Sequence, residues 1–237
     1  MPELLRAAMH GIGWPRGKWP AGAKMAGMSD GLPSFHTERL RLRPVVLEDA
    51  PALLAMSDAR APGTWIGYAP LADLEAAEVF AAWMVMIGRK PVPDICWAIE
   101  RRDVPGLIGL CQLKGWDPVE RTAQVGYEIA RTHQRHGFMR EALEALLRGC
   151  FQGFGLRHLD AHVHADNAAS LALLRHAGFL LQGELPGGET CGGTTHAMQV
   201  WRRCAEAIPG GRDGLRSRTT RGRAARSAAP APSHAAA

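Results

Sequence analysis

From Val125 to Ala142 the chain reads Val-Gly-Tyr-Glu-Ile-Ala-Arg-Thr-His-Gln-Arg-His-Gly-Phe-Met-Arg-Glu-Ala, and most of its chemistry-bearing residues concentrate here. A strand is expected to end near Ala130, and a helix to start around Gly137. A helix start presents unpaired backbone N–H groups and the positive end of the helix dipole, which together attract an anion. Gly137 lets a ligand approach the backbone closely. Arg135, His136 and Arg140 add cationic or donor groups around it, so a diphosphate suits the position. An ordinary helix N-terminus with solvated arginines reads the same residues without any ligand.

A second group of polar residues follows. Asp166-Asn-Ala-Ala-Ser170 precedes a helical stretch ending in Arg175-His-Ala-Gly178-Phe179. Asp166 or Asn167 makes a good N-cap and Gly178 a good helix stop. His162 and His164 share one face of a strand with Asp160 beside them, which raises the question of a metal. Leu159, Ala161 and Val163 should take the core face, leaving both histidines on the less buried side as sheet residues or near a substrate mouth; no metal is expected. Cys111 and Cys150 read as buried core thiols. All five cysteines (96, 111, 150, 191 and 204) lack close pairs, which suits free thiols in a reducing compartment such as the cytoplasm.

These residues need elements to hold them. Thr37–Arg43 alternates Leu40 and Leu42 against arginines, as a half-buried strand does. Helices are expected from Glu48-Asp49 onward, with Leu53, Leu54 and Met56 inward, and from Asp73 to about Ile87. Segments 94–100, 106–114 and 122–130 read as successive strands. A helix from about Gly137 to Phe151, a strand at 158–164, a helix at 167–176 and strands at about 178–184 and 195–203 complete the order. Consecutive middle strands imply antiparallel neighbours, and the later strand–helix–strand units imply a parallel pairing. The fold expected is one mixed α/β domain over residues 36–205.

The flanks differ from this block. Residues 1–35 are rich in Gly, Pro, Ala, Met and Trp without sustained period and read as poorly ordered, with Met25 or Met28 an alternative start. Residues 206–237 form an Ala/Arg/Pro-rich tail expected to be disordered. The net charge of +5 belongs to that tail, because residues 210–237 carry six arginines against Asp213, and residues 1–209 balance at 22 basic and 22 acidic side chains. Nucleic-acid binding by the folded block loses its main support; only the tail would serve it electrostatically. No stretch approaches the ~20 apolar residues of a membrane span. Monomer and homodimer stay equally open.

The spaced motifs together make residues 36–204 resemble the GNAT superfamily of N-acetyltransferases, most closely its RimJ/RimL-like branch. Thr37-Glu-Arg-Leu-Arg-Leu-Arg-Pro44 and Glu48-Asp49-Ala50 look like that branch's first strand and helix. Gln134, Gly137 and Met139 occupy the defining positions of the acetyl-CoA loop, followed by Glu141-Ala142; Asn167 with Ser170 and the Gly178-Phe179 pair also fit. Met139 departs from the small residue usual there and would narrow the pyrophosphate pocket.

The resemblance implies a mostly antiparallel central sheet flanked by helices, with strands 122–130 and 158–164 splayed around the acyl-CoA. It implies acetyl-CoA as co-substrate and an amine acceptor, either a protein N-terminus or a small molecule. Backbone groups of Tyr127, Glu128, Ile129 and Ala130 would pair with pantetheine or polarise the thioester. Gln134, Arg135, His136, Gly137, Phe138, Met139 and Arg140 would hold the diphosphate. Asn167 and Ser170 would flank the arm, with Ser170 stabilising the leaving thiolate. Glu128 is the expected general base, although as a solvated or ion-paired strand residue it would look the same in sequence. The family's tyrosine acid has no counterpart, since Leu174 stands at its position. Trp65 and Tyr68 are expected at the acceptor pocket. The competing reading is a non-catalytic acyl-CoA-binding module.

Overall fold

A strand buried on both faces shows an unbroken apolar run. Ile95–Ile99 is such a run, and all five residues are buried. They lie in β3 (Ile95–Arg101) of the computed structural model, which describes residues 32–58, 70–89, 94–191 and 194–205. Eight strands form one sheet: β1 (Phe35–His36), β2 (Leu40–Pro44), β3, β4 (Leu107–Asp117), β5 (Thr122–Ile129), β6 (His158–His164), β7 (Leu180–Cys191) and β8 (Thr194–Cys204). The spatial order is β1-β2-β3-β4-β5-β6-β8-β7. Every pairing is antiparallel except β5–β6. A parallel pair needs a long crossover, and here α3 (Phe138–Arg148) supplies it.

Helices cover both faces. α1 (Ala50–Asp58) and α2 (Leu74–Ile87) pack with Cys96, Ala98 and Leu110 on one side. α3 and α4 (Ala168–His176) pack with Leu40, Trp97 and Leu113 on the other. Burying side chains as large as Trp97 and Phe179, both nearly inaccessible, stabilises by about 1.5–3 kcal/mol each. Asp73 caps α2 by accepting the Ala76 N–H at 2.8 Å. Arg43 binds Asp49 at 2.6 and 2.8 Å and Glu100 at 2.6 Å, tying the sheet to the start of α1.

The element order follows the expectation, with adjustments at the ends. A two-residue strand, β1, precedes the first expected one and pairs Phe35 with Leu42. Asp49 sits in a 3-10 turn before α1. The long helix stops at Arg148 and widens into a π-turn over Gly149–Gly153. A Cβ on Gly149 would lie 2.2 Å from the Phe35 ring, which packs on Trp97 with centroids 5.5 Å apart. Glycine there makes room for a residue more than a hundred positions upstream. The N-terminal extension to residue 31 and the tail from 206 lie outside the described residues.

Candidate active site

β5 and β6 pair only at Thr122–His158, Ala123–Leu159 and Gln124–Asp160. Beyond that, β5 continues to Ile129 on β4, and β6 to His164 on β8. The strands part, and a cleft of about 840 Å³ opens between them. That volume lies within the usual range of small-molecule sites.

Hydrogen-bond alternation decides which backbone groups face the gap. The Ala130 N–H donates to Ile108 O at 2.8 Å. Alternate residues of an antiparallel strand share that direction. Ala130 and Glu128 therefore turn their backbone polar groups to β4, while Tyr127 and Ile129 turn theirs to the gap. This corrects the expectation for Ala130, which also does not border the cleft, and for the Glu128 backbone.

At the cleft's end the chain turns sharply. Arg135 has φ +64° and Gly137 φ +78°, both left-handed, and α3 begins at once. Consecutive N–H groups in such a turn form a concave anion cradle, and the helix N-terminus adds its dipole. Gln134 folds back, donating its Nε2 to Ile129 O at 3.4 Å. His136 donates its Nδ1–H to Gln134 O at 2.7 Å and stacks on Phe138; it does not border the cleft. Arg140 borders the cleft but ion-pairs with Glu144 at 3.1 Å. Met139 is only 9% exposed and packs into the core while bordering the cleft.

The turn is braced from far away in sequence. The Glu141 carboxylate accepts from the Thr37 hydroxyl at 2.5 Å, the Arg39 N–H at 3.0 Å and Arg39 Nε at 2.6 Å. Arg39 also donates from Nη1 to His136 O at 3.1 Å and lies 4.7 Å from the Phe138 ring centroid. Partial burial pushes the Glu141 carboxyl up, but the bonds from Thr37 and Arg39 outweigh it and hold it below the ordinary value. Sequence reasoning placed Thr37, Arg39 and Glu141 in motifs without giving them this shared task. Arg39 and Arg101 both sit over Phe138, the first residue of α3. Burial first, then Arg101 and His136, push the His133 imidazole below its ordinary value. Cations clustered at a helix N-terminus oppose its dipole.

Side chains on β5 divide by face. Tyr127 packs toward α3 and α4, and its hydroxyl lies 2.7 Å from Ser170 Oγ. Burial is the main cause pushing the phenol up to about 12. Asn167 is the N-cap of α4, its Oδ1 accepting the Ser170 N–H at 3.1 Å. Glu128 points to the opposite face, where the cleft is bordered by Phe80 and Trp83 of α2 and by Gln112 and Lys114 of β4. Phe80 and Trp83 stack at 5.8 Å; their i, i+3 spacing was the signal available in sequence. Trp65 and Tyr68 lie outside the described residues. His162 is exposed as expected, but His164 is buried, at the end of β6 where Asn167 N donates to His164 O. Among the described residues no three His, Cys, Asp or Glu side chains form a metal-binding group. None of the helices there is long and apolar enough to cross a membrane.

A mixed sheet thus parts beside a left-handed turn that opens directly into a helix. A family model for the acetyltransferase (GNAT) domain matches residues 39–180, and the chain belongs to that family. It is 33% identical over 157 residues to the uncharacterized N-acetyltransferase YoaA of Bacillus subtilis (strain 168), covering 65% of this chain and 86% of that protein. To the ribosomal-protein-serine acetyltransferase of Escherichia coli (strain K12) it is 32% identical over 83 residues, 35% of this chain and 46% of that protein. The solved structure of RimL, a ribosomal L7/L12 alpha-N-protein acetyltransferase in complex with coenzyme A, superposes with a TM-score of 0.68 at 19% identity. That superposition covers 74% of this chain and all of RimL, and supports the fold. The chain is an N-acetyltransferase that uses acetyl-CoA, and the non-catalytic reading gives way to it.

Proposed function

We propose that the chain acetylates the primary amine of a protein N-terminus or small molecule in the cytoplasm, by direct attack within a ternary complex. The observation that carries this reading is the gap between β5 and β6, which opens beside the left-handed turn at residues 135–137. Acetyl-CoA supplies an activated acetyl thioester. Backbone amides of residues 135–140 would hold its diphosphate, and the gap-facing backbone of Tyr127 and Ile129 would bind the arm.

The two faces of β5 then separate the proton chemistry. Glu128, on the α2 face, takes a proton from the incoming ammonium directly or through water, freeing the lone pair for attack. A gap-facing N–H of β5 stabilises charge developing on the carbonyl oxygen, the kind of preorganised donor that usually contributes most. Ser170, on the α4 face, donates a hydrogen bond to the departing sulfur. Asn167 fixes Ser170 by capping its helix. Phe80 and Trp83 offer an apolar wall to the group carrying the amine.

The relatives that acetylate ribosomal proteins make peptide α-amines the first acceptors to try. Purified protein, acetyl-CoA, a thiol reagent and a panel of peptide and small-molecule amines should give amine-dependent CoA release. Tight CoA binding without release on any amine would return the non-catalytic module.

A further inference from the structure

The only tyrosine among the described residues lies in the cleft, on a strand rather than on the helix where the family resemblance looks for one. Tyr127 and Ser170 are 43 residues apart, yet their oxygens are 2.7 Å apart. Neither is free to wander. The Tyr127 ring packs against the core cluster, and the Ser170 backbone is fixed by the Asn167 cap. A serine in a first helical turn otherwise turns its hydroxyl toward local backbone or solvent.

We infer that Tyr127 is a positioning residue for acyl transfer, donating its phenolic hydrogen to Ser170 Oγ so that the serine hydrogen is aimed at the departing sulfur. This rests on the reading of Ser170 given above. A serine oxygen accepts one bond while donating another, so the pair forms a directed chain from phenol to serine to thiolate. Such chains polarise each member in a low-dielectric site.

The magnitudes separate donation of a hydrogen bond from donation of a proton. With its phenol pushed up to about 12, Tyr127 stays protonated across the physiological range and always offers its hydrogen. An ordinary thiol ionises near 8.5, so moving a proton from this phenol to the thiolate is disfavoured by roughly 10³-fold. The steps therefore balance without it. The ammonium loses one proton through Glu128, the freed amine forms its bond to the carbonyl carbon, the carbon–sulfur bond breaks with its electron pair going to sulfur, and the second nitrogen proton leaves to water as the amide forms. The thiolate departs hydrogen-bonded to Ser170 and is protonated by water on release.

A double-mutant cycle tests this. Tyr127→Phe should lower kcat about 10-fold with little change in acetyl-CoA KM or CoA affinity, as expected for one hydrogen bond made in the transition state. Ser170→Ala should lower kcat about 10²-fold, and adding Tyr127→Phe to it should cost nothing more. Ser170→Thr, which keeps a hydroxyl, should restore sensitivity to Tyr127→Phe. Parental kcat in Tyr127→Phe, or effects that multiply in the double mutant, overturns the inference while leaving Ser170 in place. Parental kcat in Ser170→Ala removes both. Should Tyr127→Phe not fold, fluorotyrosine placed at position 127 alone keeps the shape and lowers the phenol pKa. The alkaline fall in kcat should then move to lower pH, and an unmoved limb overturns the inference.

Discussion

Replacing Glu141 by alanine removes the carboxylate that ties Thr37 and Arg39 to the first turn of α3. Three accepted hydrogen bonds are lost. The bonds from the part-buried Thr37 hydroxyl and from the Arg39 N–H contribute about 1 kcal/mol each. The ion pair with the Arg39 guanidinium contributes at most about 1 kcal/mol, because Arg39 is 46% exposed and screened by solvent. The total is about 2–3 kcal/mol, or a fall in Tm of about 4–12 °C for a domain of this size. Glutamine keeps an acceptor and should lose about half as much. Calorimetric CoA titration should show affinity falling about 5–10-fold in the alanine variant, since Arg39 also holds His136 O of the cradle. A pH series adds a sign. The folded Glu141 carboxyl is held below its ordinary 4.5, so its contribution is present above that pH and fades as pH falls through the folded value. Glu141→Gln should accordingly be penalised at neutral pH and penalised less in acid. An alanine variant with parental Tm and parental CoA affinity would refute the brace.

Glu128→Gln should lower kcat about 10²-fold and flatten the acidic limb of the rate profile, measured as CoA release; parental turnover across pH would remove Glu128 from the mechanism. Gly109 on β4 faces the strand at the gap, and a Cβ there would sit 2.6 Å from Glu128 O. Gly109→Val should therefore destabilise by about 1–3 kcal/mol in chemical denaturation and weaken CoA binding by shifting β5; unchanged affinity would show that the β5 path is not tightly set.

Local patterns made much of this fold legible. Strand 158–164 alternated with period two, Asp73 announced the start of α2, and Gly178 the stop after α4; all three appear at those residues. Gly137 marked the turn because its left-handed φ suits glycine. What stayed hidden depends on contacts distant in sequence. Gly149 leaves room for the Phe35 ring, β1 is too short to carry a pattern, and His164 is buried against the period-two expectation for its strand. The same holds at the site. The Thr37–Arg39–Glu141 brace and the Tyr127–Ser170 pair span about a hundred and about forty residues. Ala130 looked like its gap-facing neighbours until the pairing with Ile108 fixed its direction.

The claim at the centre is that the turn at 134–140 grips a diphosphate and so positions the thioester arm in the gap. Isothermal calorimetry with CoA and with pantetheine, which has the arm but no diphosphate, tests it directly. CoA should bind with a Kd of about micromolar order, and pantetheine at least about 100-fold more weakly, a difference of about 2.7 kcal/mol. Equal binding of the two, or no heat with CoA on folded protein, would contradict it.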